Sequence, residues 1–538
     1  MRMPEPRRVV WTRVAGSVGG GLLLTLSFPP FDLVWLAPPA LAVLALSWHG
    51  VRARRGFWLG YLAGLGFLMA HLLWMRVIGD DAWFLLSAAF ALGPAFVGAG
   101  VAATSNLRAW PLAVPCMWVA SEAVYNRVPL GGFPWGDLAF GQTATRLTPY
   151  AALAGSPAVT FAVALAGAGL AYAWTVRERP RAVVASLVGV AILCTAGGLV
   201  PLPTDGETAG GPSTTTAAVV QGNVAGPGMD AFGDTRALVL DNHVRETEKL
   251  AADVRAGVVP APDVVIWPEN ASDLDPFQDA GARSSIEQAV DAIGVPVLVG
   301  AVVTDPQDPT HILNLGIVWQ PTTSSSAGGP SSYYVKQHPV PFGEWIPFRS
   351  LLAKLISRFD RVPRDFGAGT STGVLQLGPV RIGDLICFEV AYSDLSRAAV
   401  LGTGVEGFLA GQGARILTVQ TNNATYGYTG QPEQQLAMSR LRAVEHGRAV
   451  LVAATSGISA IVLPDGTVAS SLPEFTPGYL VQKVPLRDSI TLSDRLGSWP
   501  EYLVVVAALA LLVVAGVRRR RAGTVGSATD ATIEESVA

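Results

Sequence analysis

The sequence predicts a two-part fold: a polytopic α-helical membrane domain of about eight transmembrane helices, and a soluble α/β domain that precedes the last of these helices. Three observations predict it. Half of the 538 residues are hydrophobic and only 15% are charged, which is outside the range of soluble globular proteins. Eight apolar runs are long enough to cross a bilayer. Residues 217–490 alternate β-branched runs with helical stretches, as in a layered α/β domain.

Seven of the apolar runs follow one another in the N-terminal part of the chain, and the eighth lies near the C-terminus. The first run follows Arg7 and Arg8, as in a signal peptide. It continues through Pro29 and Pro30 into further apolar runs without a small-residue cleavage site, so we interpret it as a retained helix. The spans are expected near 10–28, 33–49, 56–76, 83–104, 109–125, 148–174, 182–201 and 501–517.

The arginines predict the orientation, because short cytoplasmic loops have an excess of Lys and Arg. With the N-terminus inside, the connections before the α/β segment expose only Arg76, Arg127 and Arg146 on the outer side. We therefore expect both termini in the cytoplasm and the α/β segment on the extracytoplasmic face of a bacterial inner membrane. The arginines of the inner segments fall at 2–8, 52–55, 108, 177–181 and 518–521.

Composition also predicts the domain boundaries. The stretch before the α/β segment is rich in Pro, Gly, Ser and Thr, which is typical of a flexible linker. The end of the chain is small, polar and acidic, which is typical of disorder. The expected parts are a seven-helix membrane domain at 1–201, a linker at 202–216, the α/β domain at 217–490, a return segment and eighth helix at 491–517, and a basic stop with a disordered cytoplasmic tail at 518–538.

Short β-branched runs and longer periodic stretches predict the strands and helices of the α/β segment. The low-complexity stretch 321–332 is expected to be a surface loop. The predicted helices are 235–254, 284–293 and 431–446. The predicted strands are 217–221, 263–267, 295–303, 313–319, 333–336, 380–386, 416–420, 450–454 and 460–463.

Glu269 is the first of three candidate reactive residues that stand at the ends of predicted strands. It follows an apolar strand that ends at Trp267 and Pro268, and functional groups of α/β sheets collect at that edge. A carboxylate shielded from water there should have a raised pKa and could accept and donate a proton. The alternative for Glu269 taken alone is a capping or loop glutamate.

Cys387 and Lys336 are the other two candidates. Cys387 lies where a strand stops and a helix is expected to start, and helix N-termini and cations favour the thiolate. Lys336 closes a strand, and its ammonium could stabilise both a thiolate and an oxyanion. Taken alone, a buried structural thiol and a surface lysine are the alternatives, but a base, a cation and a nucleophile together on strand ends favour catalysis. Cys116 and Cys194 lie in apolar runs and are interpreted as core residues.

Three motifs give the chain a resemblance to the carbon-nitrogen hydrolase (nitrilase) superfamily. They are WPE ending at Glu269, K-x-x-x-V-P-F-G-E from Lys336 to Glu344, and C-F-E from Cys387 to Glu389. With the added spans, the chain is similar to the apolipoprotein N-acyltransferases, the membrane-bound family of that superfamily. Further matching positions are 132–135 (GFPW), 342–347 (FGEWIP), 421–424 (TNNA), Gln434, Met438, Arg440, Arg442, Ala443, Glu445 and Arg448.

The resemblance implies an αββα sandwich for the α/β domain and assigns roles to the candidate residues. Cys387 is the implied nucleophile, Glu269 the general base and acid, and Lys336 the stabiliser of the intermediate. The implied supporting residues are Glu344 and Glu389, expected to raise the pKa of Glu269 and orient Lys336, and Phe388, whose backbone N–H is expected in the oxyanion hole. The implied substrate entrance comprises Trp135, Trp345, Asn423 and Tyr426.

Two positions depart from the family pattern. Many relatives have Tyr where this chain has Phe388, and S-N-D-A-W where it has T-N-N-A-T at 421–425. A phenol and a large aromatic ring are therefore missing from the expected entrance, while the triad is unchanged. Residues 348–366 are amphipathic and basic, which is typical of a lid that dips into the bilayer and equally of an ordinary covering helix.

The resemblance also implies the reaction and its partners. An acyl chain passes from a membrane phospholipid to Cys387 as a thioester, and then to the α-amino group of a diacylglyceryl-modified N-terminal cysteine of an apolipoprotein. No cofactor, metal ion or nucleic acid is expected, the partners are the two lipid substrates and the bilayer, and the protein is expected to be a monomer. A membrane-tethered amidase with the same triad and an inactive lipoprotein-binding scaffold remain as alternatives.

Overall fold

The computed structural model describes residues 7–208, 211–228, 237–356, 359 and 362–537. The chain divides into two compact units. The helical unit comprises Met1–Leu147, Pro157–Leu199 and Ser498–Ala538, and the α/β unit comprises Thr148–Ser156 and Val200–Gly497. The predicted combination of a helical region with an α/β domain is confirmed.

Every apolar run predicted to span the membrane contains at least one helix. The last helix extends past the arginines at 518–521 into the segment that its composition predicts to be disordered. The helices of this part of the chain are α1 (Arg7–Thr25), α2 (Ala37–Trp48), α3 (Ala53–His71), α4 (Asp80–Phe90), α5 (Leu92–Thr104), α6 (Trp110–Tyr125), α7 (Ala151–Thr175) and α8 (Pro180–Ala196), with the last helix, Trp499–Val537, following the α/β unit.

Helix length and apolar content together support fewer spans than the sequence predicts. Four helical stretches of the described chain are long and apolar enough to cross a bilayer: Asp80–Thr104, Thr148–Thr175, Pro180–Leu199 and Trp499–Arg521. Helices α2 and α6 have only 12 and 16 residues. A helix of 12 residues rises about 18 Å, whereas the hydrocarbon core is about 30 Å thick. The expected count of eight is therefore not reached by these criteria.

Helices α3 and α5 approach each other closely at glycines. An added Cβ at Gly56 would lie 2.4 Å from the carbonyl oxygen of Gly98, and one at Gly60 would lie 2.2 Å from that of Pro94. Gly64, four residues further along α3, faces Ala91 in the same way. Small residues spaced by four let membrane helices pack backbone against backbone.

The α/β unit is built on two six-stranded sheets. Its strands are β1 (Thr214–Gln221), β2 (Val264–Ile266), β3 (Val297–Thr304), β4 (Ile312–Gln320), β5 (Gly329–Val335), β6 (Val374–Leu377), β7 (Val380–Ile386), β8 (Ile416–Thr421), β9 (Val450–Ala454), β10 (Ala460–Val462), β11 (Val468–Ser471) and β12 (Gly478–Pro485). The strand orders are β12-β1-β2-β3-β4-β5 and β11-β10-β9-β8-β7-β6.

Helices cover the outer face of each sheet. The helices of this unit are α9 (Leu238–Arg255), α10 (Ala280–Ile293), α11 (Arg349–Leu355), α12 (Ser393–Leu401), α13 (Gln431–His446) and α14 (Leu492–Leu496). Buried residues such as Val219 and Ile382 pack between the sheets, while Leu250 of α9 and Ile286 of α10 pack on the first sheet. Helices α12 and α13 contact the second sheet at β7 and β9. The layers are therefore α, β, β and α, as the resemblance implied.

All nine predicted strands and the three predicted helices are present, although the start of the first predicted helix, 235–236, lies outside the described residues. The prediction missed the helices α12 and α14 and the strands β6, β11 and β12. The expected flexible linker, 202–216, is held in place at several points. The backbone N–H of Ser489 donates to Glu207 at 2.7 Å, and Arg415 donates to the carbonyl of Pro212 at 2.7 Å.

The parallel strands determine where functional groups meet. Strands β1, β2 and β3 run parallel in the first sheet, and β7, β8 and β9 run parallel in the second. Their carboxyl ends deliver Glu269 after β2, Cys387 after β7 and Thr421 at the end of β8. These residues form the framework of the site.

Candidate active site

Glu269 and Lys336 meet in a buried ion pair. The carboxylate of Glu269 is 4% exposed and Lys336 is 1% exposed. Oε1 of Glu269 accepts a hydrogen bond from Nζ of Lys336 at 3.1 Å and from Nδ2 of Asn314 at 2.7 Å. Oε2 of Glu269 accepts from the backbone N–H of Asn422 at 2.9 Å. Both carboxylate oxygens are therefore fixed, one by the first sheet and one by the loop after β8.

Glu344 is the second carboxylate of this cluster. Its Oε1 accepts from Nζ of Lys336 at 2.9 Å and from Nδ2 of Asn314 at 3.0 Å, and its Oε2 accepts from the backbone N–H of Val340 at 2.6 Å. Lys336 is therefore bridged between two carboxylates, and Asn314 donates to the same two groups. The structure places Glu344 where the sequence predicted it, beside the base and the cation.

Burial and charge set the protonation states of this cluster. Burial raises the pKa of Glu269, and the charge of Glu344 raises it further, while the ammonium of Lys336 opposes both. Burial alone would lower the pKa of Lys336, but the negative charges of Glu269 and Glu344 outweigh it and raise that pKa well above its usual value. A carboxylate with a raised pKa beside a permanent cation is suited to taking up and returning a proton.

Cys387 stands at a sharp turn between β7 and a 3₁₀ turn, Cys387–Ala391. Its φ of 56° is in the left-handed region, which costs a non-glycine residue free energy. The thiol is neither fully buried nor fully exposed. Hydrogen bonds to Sγ come from Oγ1 of Thr421 at 3.4 Å and from Nε2 of Gln435 at 3.8 Å. The turn thus presents the sulfur at the strand end.

The cation expected near Cys387 is present, but burial outweighs its effect on the thiol in the resting protein. Burial, followed by the negative charge of Glu269, raises the pKa of the Cys387 thiol to about 12. The charge of Lys336 and the hydrogen bond from Thr421 lower it, but by less. Cys387 is therefore a thiol at neutral pH and requires a base to become a nucleophile.

Glu389 holds the backbone on both sides of the site. Its buried carboxylate accepts from the backbone N–H groups of Ile386, Gln337 and His338 at 2.7 to 3.1 Å, and from the hydroxyl of Tyr334 at 2.9 and 3.0 Å. These donors come from the segment that contains Lys336, on both sides of that residue, and from the end of β7 just before Cys387. Glu389 therefore ties these two segments together, and the effect expected of it on Glu269 stays a prediction.

A side chain of α13 also holds the 3₁₀ turn that begins at Cys387. The guanidinium of Arg442 is 1% exposed and donates to the carbonyls of Val390 at 2.9 Å and Ala391 at 2.7 Å. Arg442 also pairs with Glu445, which accepts from Ser393. The side chain of Phe388 packs edge to face on Tyr392, with ring centroids 5.2 Å apart. The oxyanion role expected for the backbone N–H of Phe388 stays a prediction.

Two of the residues predicted at the substrate entrance lie close to the sulfur. Asn423 is buried and donates through Nδ2 to Gln431 at 2.7 Å and to Gln435 at 2.6 Å. Burial raises the pKa of the Tyr426 hydroxyl, and so do the charge of Glu269 and the charge of Cys387 when its sulfur is ionised. Asn423 thus belongs to the hydrogen-bond network behind the thiol. The roles of Asn423 and Tyr426 at the substrate entrance stay predictions.

The two tryptophans of the predicted entrance belong to different units. The indole of Trp345 is half-buried and donates to the carbonyl of Pro339 at 3.1 Å, beside the Pro-rich turn. Trp135 is 3% exposed in the helical unit, where its ring lies 5.2 Å from Trp74 and 6.1 Å from Phe133. The lid expected at 348–366 includes α11, and residues 357, 358, 360 and 361 of it lie outside the described residues.

Sequence reasoning missed three residues that contact the triad directly. Asn314 sits inside a strand with an ordinary apolar pattern, Thr421 was noted only as a matching position, and Gln435 sits on a helix face where a polar residue usually indicates solvent. Asn314 and Gln435 are each 2% exposed. Burial of an amide side chain next to a reactive group would identify them, but it becomes visible only in the structure.

Comparison with known proteins tests the resemblance. Residues 20–169 match the family model described as "Apolipoprotein N-acyltransferase N-terminal domain", and residues 216–492 match "Carbon-nitrogen hydrolase". An apolipoprotein N-acyltransferase of Mycolicibacterium smegmatis is 39% identical over 521 residues, which cover 93% of this chain and 85% of that protein. The chain belongs to the apolipoprotein N-acyltransferase family. The resemblance stated from the sequence motifs is confirmed.

More distant relatives of the apolipoprotein N-acyltransferase family cover the chain as fully. An apolipoprotein N-acyltransferase of Chromobacterium violaceum is 29% identical over 534 residues, which cover 96% of each chain. Among solved structures, an amidase from Nesterenkonia sp. is 18% identical and covers 54% of this chain and 97% of its own, with a TM-score of 0.37.

Proposed function

We propose that this protein transfers a fatty acyl chain from a membrane phospholipid to the α-amino group of a diacylglyceryl-modified N-terminal cysteine of apolipoproteins, through a thioester on Cys387. Membership of the apolipoprotein N-acyltransferase family gives the overall reaction. The observation that supports the covalent route is the meeting of a protonated thiol at a strand end of the second sheet with a buried carboxylate of raised pKa and a buried ammonium at strand ends of the first sheet.

In the first half-reaction, Glu269 takes the proton from Sγ of Cys387, and the sulfur attacks an ester carbonyl of the phospholipid. The tetrahedral oxyanion is stabilised by the ammonium of Lys336, helped by the backbone N–H of Phe388. Collapse of the intermediate breaks the ester C–O bond. The lysophospholipid oxygen leaves with the proton that Glu269 returns, and the acyl chain remains on the sulfur as a thioester.

In the second half-reaction, the neutral α-amine of the apolipoprotein attacks the thioester carbonyl. Glu269 accepts a proton from the attacking nitrogen, Lys336 again stabilises the oxyanion, and the C–S bond breaks. The departing sulfur regains a proton from Glu269, which restores the resting thiol. The product is an amide, and neither half-reaction requires a cofactor or a metal ion.

The cost of exposing an acyl chain to water explains why such an enzyme belongs in a membrane. Each CH₂ group contributes about 0.8 kcal/mol, so a long chain costs roughly 10 kcal/mol or more. We infer eight spans, with both termini in the cytoplasm and the α/β unit on the outer side. The arginine distribution and the helix within each predicted run support this topology. Alkaline phosphatase fused after Arg521 is expected to be inactive, and an active fusion would contradict it.

Intact mass measurement of the membrane-purified protein tests the covalent route. After incubation with phospholipid vesicles, we expect a fatty acyl adduct that a diacylglyceryl-cysteine peptide discharges within minutes and water discharges slowly. Cys387→Ala should lose the adduct, whereas Cys116→Ala, which removes a thiol of the helical unit, should retain it. Rapid discharge by water would instead indicate an amidase, and no adduct on any variant would indicate an inactive scaffold.

A further inference from the structure

The sulfur of Cys387 is surrounded by neutral hydrogen-bond donors on the side of the second sheet. Oγ1 of Thr421 lies 3.4 Å from Sγ, and Nε2 of Gln435 lies 3.8 Å from it. Both residues are buried, at 1% and 2% exposure. Donors that are excluded from water and aimed at one atom can stabilise a charge that develops on it.

A network of amides fixes which way Gln435 points. Nδ2 of Asn423 donates one hydrogen to Oε1 of Gln431 at 2.7 Å and the other to Oε1 of Gln435 at 2.6 Å. A reversed Gln435 amide would place its NH₂ group against the NH₂ group of Asn423. The amide oxygen of Gln435 therefore faces Asn423, and its nitrogen faces the sulfur.

Thr421 has one hydroxyl hydrogen and two acceptors within reach. Besides Sγ of Cys387, Oγ1 of Thr421 lies 3.0 Å from Oε1 of Gln435. Only one of these two bonds can be made at a time. Which one forms depends on the charge of the sulfur, because a neutral thiol or thioester is a weak acceptor and a thiolate is a strong one.

We propose that Thr421 is a further catalytic residue, whose hydroxyl hydrogen rests on Gln435 while the sulfur is neutral and turns to Sγ when the sulfur is a thiolate. The proposal rests on the role assigned above to Cys387. Gln435 donates to the same sulfur, and Asn423 is a positioning residue that holds the Gln435 amide. An interaction that strengthens only as charge develops accelerates the reaction, because it does not stabilise the resting thiol equally.

The proton balance leaves Thr421 unchanged. The thiol proton passes from Sγ to Glu269, and the hydroxyl hydrogen stays on Oγ1 of Thr421 and only rotates about the C–O bond. When the thioester forms, the sulfur loses its charge and the hydroxyl returns to Gln435. When the C–S bond breaks, the hydroxyl turns to the sulfur again until Glu269 has returned the proton.

Titration of the sulfur also depends on the charged groups around it. The charged groups that act on Cys387 are Glu269 from the first sheet, Lys336 after β5 and Glu344 after the Pro-rich turn. The hydroxyl of Tyr426 in turn responds to a charge on the sulfur. Substitution of Thr421 leaves all four in place. A change in thiol reactivity in such a variant is therefore caused by the loss of the Thr421 hydroxyl.

The experiment is the pH profile of iodoacetamide alkylation at Cys387 in the full-length, detergent-purified protein. Hydroxylamine first removes any thioester, and peptide mass spectrometry separates Cys387 from Cys116 and Cys194. Thr421→Val removes the hydroxyl and keeps the shape, so the alkylation rate at pH 7.5 should fall by about tenfold and the profile should move to higher pH. Thr421→Ser keeps a hydroxyl and should stay within about twofold of the natural protein.

Thr418→Val is the matched control, because Thr418 is a buried threonine on the same strand whose hydroxyl bonds Asp384 at 2.8 Å. It should leave the alkylation rate unchanged. If Thr421→Val does not fold, as judged by its melting temperature, Thr421→Ala serves in its place. Alkylation of a folded Thr421→Val at the natural rate, or Thr421→Ser as slow as Thr421→Val, overturns the proposal.

The same measurement separates this proposal from the proposed function. The alkylation rate measures the reactivity of the Cys387 thiol, and it does not depend on whether this thiol forms a thioester during turnover. Acyl transfer that survives in Cys387→Ala would overturn the thioester route and leave the alkylation result standing. If the thioester route and the role of Thr421 are both correct, Thr421→Val should also slow the acylation of Cys387 by phospholipid vesicles about tenfold, while discharge by water stays slow.

Discussion

The contact between α3 and α5 in the helical unit and the strand ends of the α/β unit are both buried, but they are packed with different groups. At the helix contact, Gly56 and Gly60 bring backbone against backbone, with no room for a Cβ atom. At the strand ends, Glu269, Lys336 and Glu344 bury charge against charge within hydrogen-bond distance. One contact is fitted by shape and the other by electrostatics.

The solvent of each region explains the difference. Lipid chains are as apolar as the helices, so helices gain little from burying apolar side chains and associate through close packing instead. Sheets that fold in water gain stability from their apolar core, which can offset the cost of burying a few charges at its edge. Substitutions at the helix contact should therefore change stability, and substitutions at the strand ends should change the rate of the reaction.

The largest effect is expected in the charged cluster at the strand ends of the α/β unit. Lys336→Met removes the ammonium that both carboxylates share and that stabilises the oxyanion, so the single-turnover rate of Cys387 acylation should fall by roughly 10²- to 10³-fold. Lys483→Met on β12 replaces an exposed lysine and should leave the rate unchanged. A Lys336→Met protein that acylates within a factor of ten of the natural rate would show that another group stabilises the intermediate.

The next largest effect is expected at the contact between α3 and α5. Gly60→Leu places a Cβ 2.2 Å from the carbonyl oxygen of Pro94, so α3 and α5 must separate, at a cost of about 3 kcal/mol. Thermal unfolding in detergent measures the loss. Gly19→Leu on α1 is the matched control, because no atom lies within 4 Å of the added Cβ. Equal melting temperatures for the two variants would contradict shape fitting at this contact.

A smaller effect is expected from a buried acid that lies between the two sheets. Asp384 is 1% exposed, and burial raises its pKa to about 8. Its folded pKa is above its unfolded value, so its contribution to stability is complete below about pH 4 and is lost as the pH rises towards 8. Asp384→Asn cannot ionise, and it keeps an oxygen that can accept from Thr418.

Asp384→Asn should therefore gain stability over the natural protein as the pH rises from 4 to 9, with little difference between the two proteins at pH 4. Denaturant unfolding at the two pH values measures this change. Asp241→Asn, on the exposed side of α9, should show no such pH dependence. A constant difference between Asp384→Asn and the natural protein across this range would mean that Asp384 ionises normally in the fold.

The parts of the site that could be predicted from the sequence have local causes. Glu269, Lys336 and Cys387 were found because apolar β-branched runs end beside each of them and each lies within a short motif. Strands whose residues are all apolar, such as β2 and β10, were found even though each has only three residues. Strands β6, β11 and β12 contain Gln, Ser or Lys among their apolar residues and were missed, because they depend on pairing with β7, β10 and β1, which local composition does not encode.

The parts that could not be predicted have causes distant along the chain. Asn314 looks like an ordinary strand residue, yet it donates to both carboxylates of the site. Glu389 looks like a partner of the base, yet its oxygens are taken by the backbone of 337, 338 and 386. A polar side chain finds its partners only after the sheets have packed.

By itself, the sequence determined the helical and α/β parts of this protein and its family, and it indicated the candidate reactive residues, because hydrophobic periodicity and short motifs are local properties. Only the tertiary structure decided that Cys387 rests as a thiol, that Glu269 is held by the backbone of Asn422, 153 residues away, and that Thr421 and Gln435 face the sulfur. Protonation and hydrogen bonding depend on burial and on neighbouring charges, and both are set by how the two sheets meet.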